Sequence, residues 1–289
     1  MRARMMHVML MLAIAALPAS ASFDSQFGGY TAALLAQDRQ EKPFVPVSGQ
    51  AGKDVVWVPS PPEMVNKMLE IAKVTPADYV IDLGSGDGRN VIAAAKLGAN
   101  ALGVEYNPEM VKLSQRLAKE AGVENKARFV EGDMYEADIS KASVMALFLL
   151  PVNLNKLVPK FLDLKPGSRI VLNTFGIDGW EPDYRTSLPQ GSECESWCDI
   201  LLLIVPAKVA GTWNLNNGGR LLLTQEYQTV QGSLTLNGQQ YTVEKGRLNG
   251  EDLTFVANNQ IFNGKVKGAR IEGTITATNG PTPWTATKQ

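Results

Sequence analysis

The 289-residue chain has almost no histidine: its one imidazole is His7, inside an N-terminal stretch with the layout of a removable leader. A mature chain starting after that stretch has none. Serine–histidine and cysteine–histidine mechanisms and the usual zinc sites are thereby excluded, and no metal centre is expected. Positive charge is not in excess either, with 28 Lys and Arg against 29 Asp and Glu. No basic field gathers phosphates, so no nucleic-acid partner is expected. Cysteine is limited to Cys194 and Cys198 in Cys-Glu-Ser-Trp-Cys. Two thiols are too few for a metal site without histidine; the pair is either a local disulfide, which gains little loop entropy, or two free thiols. The apolar run Val8 to Leu17 is about half of the roughly 20 residues a spanning helix needs, and no other segment could cross a bilayer.

That run has Arg2 and Arg4 before it and Ala19-Ser20-Ala21 after it. Positive start, short apolar stretch and small-x-small end describe a secretory signal peptide over residues 1–21, cleaved after Ala21. The expected location is exported or periplasmic. The competing reading is an uncleaved anchor or a mitochondrial presequence, and membrane contact is expected only through such a retained leader. Hydrophobic content of 45% and charged content of 20% are those of a folded globular protein.

What the chain does have begins at residue 80. Val80-Ile81-Asp82-Leu83-Gly84-Ser85-Gly86-Asp87-Gly88 is an apolar strand ending in an acid, then glycines at alternate positions, then the helical pattern of Arg89 to Ala95. Such a turn lets backbone approach a ligand closely, with N–H groups free to face it. Dinucleotide folds use a similar turn but want a third glycine where Arg89 stands. The next strand, Ala101 to Val104, ends in Glu105, an acid suited to accept from ribose hydroxyls. A third, Ala127 to Val130, runs into Glu131-Gly132-Asp133-Met134, with an acid placed to accept from an adenine amine. A glycine turn by itself is only a turn, and one strand-end acid only a solvated cap. Acids at 82, 105 and 133 on consecutive β–α units form a nucleoside-binding constellation.

These phrases, with Gly103-Val104-Glu105-Tyr106-Asn107-Pro108-Glu109, resemble class I S-adenosylmethionine-dependent methyltransferases. The lead-in Val58-Pro59-Ser60-Pro61-Pro62-Glu63, the turn with its Arg89, and Phe148-Leu149-Leu150-Pro151 resemble, more narrowly, membrane-tethered protein-lysine methyltransferases distantly related to Dot1-type enzymes. The resemblance spans roughly residues 55 to 205. It implies S-adenosyl-L-methionine as donor, Gly84, Gly86 and Gly88 around its methionine part with Asp82 near the amino group, and Glu105 on the ribose. It implies Asp133 and the Met134 backbone at adenine and Leu150 beside the transferred methyl, while Ser85 and Tyr106 complete the cofactor-binding set. No residue is assigned as a catalytic acid or base. A sulfonium donor needs mainly alignment and exclusion of water, so a chain without histidine suits it. The implied acceptor is a protein lysine; a small molecule, or an exported noncatalytic binding module on the same scaffold, are the other readings. Export carries a conflict, because the donor is made in the cytosol.

The alternation of strands and helices predicts an α/β fold, a doubly wound, mostly parallel Rossmann-like sheet with its ligand at the strands' carboxyl ends. Ser60-Pro61-Pro62-Glu63 reads as a capping box opening a helix, and Asn107 caps another. Val144 to Leu150 reads as a buried parallel strand, Asn153 to Leu164 as a helix and Trp197 to Pro206 as an antiparallel edge strand. Trp57 and Pro59 are candidate lid residues. Beyond Pro206, Asn-Gly pairs at 217, 237, 249, 263 and 279 separate alternating stretches, the hairpin signal of a small all-β barrel or sandwich. Its ends, Gly211-Thr212-Trp213 and Pro283-Trp284-Thr285-Ala286, are placed to meet. The expected division is leader 1–21, linker or lid 22–55, methyltransferase domain 56–206 and all-β domain 207–289.

Overall fold

A computed structural model describes residues 44–189, 191–277 and 280–289. The expected leader with His7, and the linker before residue 44, lie outside the described residues.

The first half alternates as expected: α1 (Pro62–Ile71), β1 (Tyr79–Leu83), α2 (Arg89–Lys96), β2 (Asn100–Glu105), α3 (Pro108–Glu120), β3 (Ala127–Glu131), β4 (Val144–Leu147), α4 (Pro151–Leu162) and β5 (Arg169–Asn173). Two more strands follow, β6 (Tyr184–Ser187) and β7 (Asp199–Ile204), and the sheet order is β3-β2-β1-β4-β5-β7-β6. β1 to β5 pair in parallel; β7 runs antiparallel to β5 and β6 antiparallel to β7. The strand expected as the edge is therefore interior, and Tyr184–Ser187 caps the sheet. With both faces covered, β4 is buried at every position, which is why it reads as an unbroken apolar run. Met64, Val65, Met68 and Leu69 of α1 and Leu154, Leu157 and Phe161 of α4 are buried, each worth roughly 1.5–3 kcal/mol of transfer free energy.

Asn107 accepts from the Glu109 N–H at 2.9 Å as an N-cap should. The capping box at α1 does not form. Pro61 is the N-cap, leaving Ser60 outside the helix, where its hydroxyl accepts from the buried Asn173 amide at 3.0 Å. Glu63 instead accepts from the Glu193 N–H at 3.2 Å. Tertiary partners have taken both groups.

The second half is a closed antiparallel barrel of β8 (Gly211–Leu215), β9 (Arg220–Glu226), β10 (Thr229–Leu236), β11 (Gln239–Asn249), β12 (Asp252–Ala257), β13 (Gln260–Lys267), β14 (Arg270–Ala277) and β15 (Gly280–Lys288). β15 meets β8, with Lys288 opposite Trp213, so the two ends do join. Phe255 and Phe262 stack at 4.6 Å, and Trp284 stands edge-on to both, filling the interior. The Asn-Gly pairs at 217, 237 and 249 lie at strand junctions, and Asn279 is outside the described residues. Asn263-Gly264, however, is inside β13: a Cβ on Gly264 would stand 2.9 Å from the Trp284 ring, so that glycine serves packing and not a turn. Tyr227, the Asn258-Asn259 pair and Gly268, all at positive φ, mark the three junctions that carry no such signal. The barrel bears on the sheet through Trp180 stacked on Tyr227 at 4.9 Å and Arg247 paired to Asp183 at 2.7 Å.

Candidate active site

The carboxyl ends of β1 to β5 and the lead-in segment enclose a cavity of about 200 Å³, the place a doubly wound sheet offers a ligand. Of the residues proposed from sequence, Asp82, Gly84, Ser85, Gly86, Glu105, Tyr106, Asp133, Met134 and Leu150 line it, together with Trp57 and Pro59. Gly88 does not. At φ +82 it is the N-cap of α2, and a Cβ there would stand 2.5 Å from Phe129 and 2.8 Å from Ser114, so it brings the helix against the sheet.

The turn does not hold its amides free for a ligand. The Gly84 and Ser85 N–H groups donate to the Val104 carbonyl at 2.8 and 3.1 Å, Gly88 donates to Ser85 O at 2.8 Å, and Gly86 donates to the Glu105 carboxylate at 2.9 Å. What the glycines provide is room: a Cβ on Gly86, at φ +56, would lie 2.5 Å from the Trp57 indole nitrogen. Glu105, half-buried, also accepts from the Asn107 N–H at 2.9 Å, so one acid orients both its own turn and the glycine turn.

Asp82 is 4% exposed, and among the described residues its side-chain partner is the Asn90 amide at 3.1 Å. Burial pushes its carboxyl well above the usual carboxylate range; the Asn90 amide offsets part of this, and the charges of Glu105 and Asp87 add to it. Lys53 and Arg89 also line the cavity, but among the described residues neither pairs with Asp82, whose carboxylate is therefore suited to accept from a cationic ligand group. The Ser85 hydroxyl, also buried and lining the cavity, has no partner among the described residues. Asp133 is different: the Lys53 ammonium at 2.5 Å, then the Tyr135 N–H at 2.8 Å, hold its carboxyl below the usual range. Lys53 also lies 4.8 Å from the centre of the Tyr106 ring.

Several contributors were not found from sequence. Arg89 chelates Asp87 at 2.9 and 2.5 Å, donates to the Ser60 carbonyl and lies over Trp57 at 6.0 Å, strapping the lead-in segment to the glycine turn. Lys53 and Asn90 act through partners 80 and 8 residues away. Phe148, Phe175 and Trp197 form the far wall from three separate segments. Cys194 and Cys198 are disulfide-bonded, which resolves the alternative left open by their spacing.

Sheet order, reversed seventh strand, glycine turn and acid-ended strands around one cavity define a class I S-adenosylmethionine-dependent methyltransferase, with S-adenosyl-L-methionine as its donor. Residues 82–184 match the ANTKMT methyltransferase domain family. A protein-lysine N-methyltransferase of Saccharolobus islandicus (strain REY15A) is 45% identical over 142 residues, 48% of this chain and 88% of that protein. The adenine nucleotide translocase lysine N-methyltransferase of Mus musculus is 32% identical over 44% of this chain, which spans 56% of that protein's length. Among solved structures, an RNA methyltransferase from Salinibacter ruber in complex with S-adenosyl-L-homocysteine shares 42% identity over 53% of this chain and 96% of that chain, with a TM-score of 0.49. This chain belongs to the protein-lysine N-methyltransferase family.

Proposed function

We propose that the chain methylates the ε-amine of a protein lysine, and that the sequence-derived residues hold the donor. What carries the reading is the buried carboxylate of Asp82, with no ion pair among the described residues, in a cavity that Glu105 at the end of β2 and Asp133 just past β3 also line, within a family named for lysine methylation. Asp82 takes the ammonium of the donor's methionine part, with Gly84 and Ser85 beside it and Gly86 admitting the Trp57 indole over the turn. Glu105 accepts from the ribose hydroxyls with the lone pairs its two backbone partners leave free. Asp133 and the Met134 backbone meet adenine, with Tyr106 alongside, and Leu150 borders the methyl group.

The donor supplies a methyl group activated by the sulfonium charge. The rest is alignment and dehydration: the amine gives its proton to water before attack, and the cavity walls hold acceptor and donor in line. The chain has no excess of positive charge, and Asp54, Asp82 and Glu105 line the cavity in addition to the paired Lys53–Asp133 and Arg89–Asp87, a balance that does not favour RNA. The disulfide suits an oxidising compartment and supports the reading of residues 1–21 as an export leader. Fractionation and N-terminal sequencing test that leader, and a cytosolic protein retaining Met1 refutes it. The function is tested by calorimetry with S-adenosylhomocysteine and NAD, followed by mass spectrometry of lysine peptides after incubation with labelled donor. Donor-product binding, weak or no NAD binding and methyl on lysine are expected; tight NAD binding without donor-product binding refutes the class of ligand, and transfer confined to small molecules refutes the lysine acceptor.

A further inference from the structure

The far wall of the cavity has a construction of its own. Phe148, just past β4, stacks on Phe175, just past β5, with centroids 6.1 Å apart and planes 10° from parallel. Trp197 leans on Phe148 at 6.1 Å and 56°. All three line the cavity, and Trp197 is 47% exposed, so its ring is accessible to a ligand.

The backbone holding these rings is strained. Thr174, immediately before Phe175, has φ +61, and Trp197 has φ +59; for β-branched and bulky residues the left-handed region is an outlier that the surroundings must enforce. Thr174 is held by its N–H on the Asp199 carbonyl at 2.8 Å and its hydroxyl on Asn173 at 3.0 Å. Trp197 sits in the five-residue loop closed by the Cys194–Cys198 disulfide, whose half-buried sulfurs pack on the core under α1. The two strained positions are therefore bound to one another through β7, whose first residue is Asp199. Strain of this kind persists where it positions something.

We propose that Phe148, Phe175 and Trp197 are the acceptor subsite, that its ligand is the alkylammonium end of a lysine side chain or of its methylated product, and that the Cys194–Cys198 loop is the positioning device for Trp197. The proposal rests on the lysine reading above. As the N–C bond forms and the C–S bond breaks, positive charge leaves sulfur and arrives on nitrogen; ring faces attract a cation there without a carboxylate that would keep the substrate amine protonated. The surplus proton of a mono- or dimethylated product leaves to water. Glu195, exposed on the same loop, and Glu193, exposed just before it, favour approach of a cationic side chain.

The test uses the full chain labelled with 5-fluorotryptophan and saturated with S-adenosylhomocysteine. The probe is Nα-acetyl-Nε-trimethyllysine amide, and the Trp197 fluorine resonance is assigned by its loss in Trp197→Phe. Titration is expected to move that resonance saturably. Probe affinity is expected to fall about 5-fold in Trp197→Ala and in the Cys194→Ser/Cys198→Ser double variant, but less than about 2-fold in Trp197→Phe, the range of one partly exposed cation–π contact. Affinity for S-adenosylhomocysteine, measured in every variant, reports intact folding and is expected to stay within about 2-fold of wild type, since the donor acids lie on other elements. An unmoved Trp197 resonance, or Trp197→Ala binding the probe like wild type, overturns the subsite; probe affinity kept in the serine variant overturns the role of the disulfide. Failure of the lysine reading is read separately, as absence of transferred methyl on lysine, because the ring response needs no turnover.

Discussion

Replacing Asp82 by Asn separates what this acid costs the empty protein from what it gives the donor complex. The carboxylate is 4% exposed, and burial, with Glu105 and Asp87 adding to it, raises its proton affinity. The folded-state pKa lies above the unfolded value, so the folded protein binds the proton more tightly. The associated stability is complete below the unfolded value near 3.8 and is lost as pH rises through the folded one. Above that pH wild type carries a buried charge without a cation, and Asp82→Asn does not. The ligand-free variant is therefore expected to melt at or above the wild-type temperature once pH exceeds the raised value, with the gain shrinking as pH falls. Donor affinity goes the other way. A charge-assisted hydrogen bond is worth about 1.5–3 kcal/mol, so the dissociation constant for S-adenosylhomocysteine should rise roughly 10- to 100-fold. Wild-type affinity should also weaken as pH falls through the raised pKa and the carboxyl becomes neutral, while that of Asp82→Asn stays flat over the same range. Calorimetric titration and melting between pH 5 and 8 read both effects. A variant that binds like wild type, or melts lower at every pH without ligand, refutes the assignment of Asp82 as a cation site.

Glu105→Ala is expected to weaken S-adenosylhomocysteine binding about 10- to 100-fold while folding survives; an unchanged constant with an intact melting transition removes Glu105 from the ribose site. Lys53→Ala frees an Asp133 oxygen at the cost of a half-exposed ion pair, so donor-product affinity should tighten by no more than about 5-fold, and weaker binding would show that Lys53 holds the ligand instead of competing with it. Ending the chain after Val209 is expected to leave donor affinity intact, because the cavity is built from residues 50 to 197, but to lower the melting temperature by uncovering Trp180 and removing the Arg247–Asp183 pair. Insoluble protein or lost donor binding would make the barrel part of the catalytic unit.

The donor half of the site could be read from the amino-acid sequence because it is local. Glu105 ends β2, Asp82 is the last residue but one of β1 and Asp133 lies just past β3, and consecutive parallel strands must bring their carboxyl ends to one side. The all-β tail was legible for a similar reason, since alternation and most of its Asn-Gly junctions are short-range signals. Tertiary structure decided what depends on partners remote in the chain. Ser60 and Glu63 have the spacing of a capping box, but Asn173 and Glu193 occupy them. Asn263-Gly264 has the letters of a turn, but Trp284 needs the missing Cβ in mid-strand. The amides of the glycine turn look available until Val104 and Glu105 accept from them. Burial raises the proton affinity of Asp82 while Lys53 lowers that of Asp133, though both are strand-end acids in sequence. The aromatic wall lies furthest from local reading: Phe148, Phe175 and Trp197 meet only because β5 and β7 pair antiparallel and a disulfide closes the loop beside them, and no periodicity or motif encodes a contact among three segments.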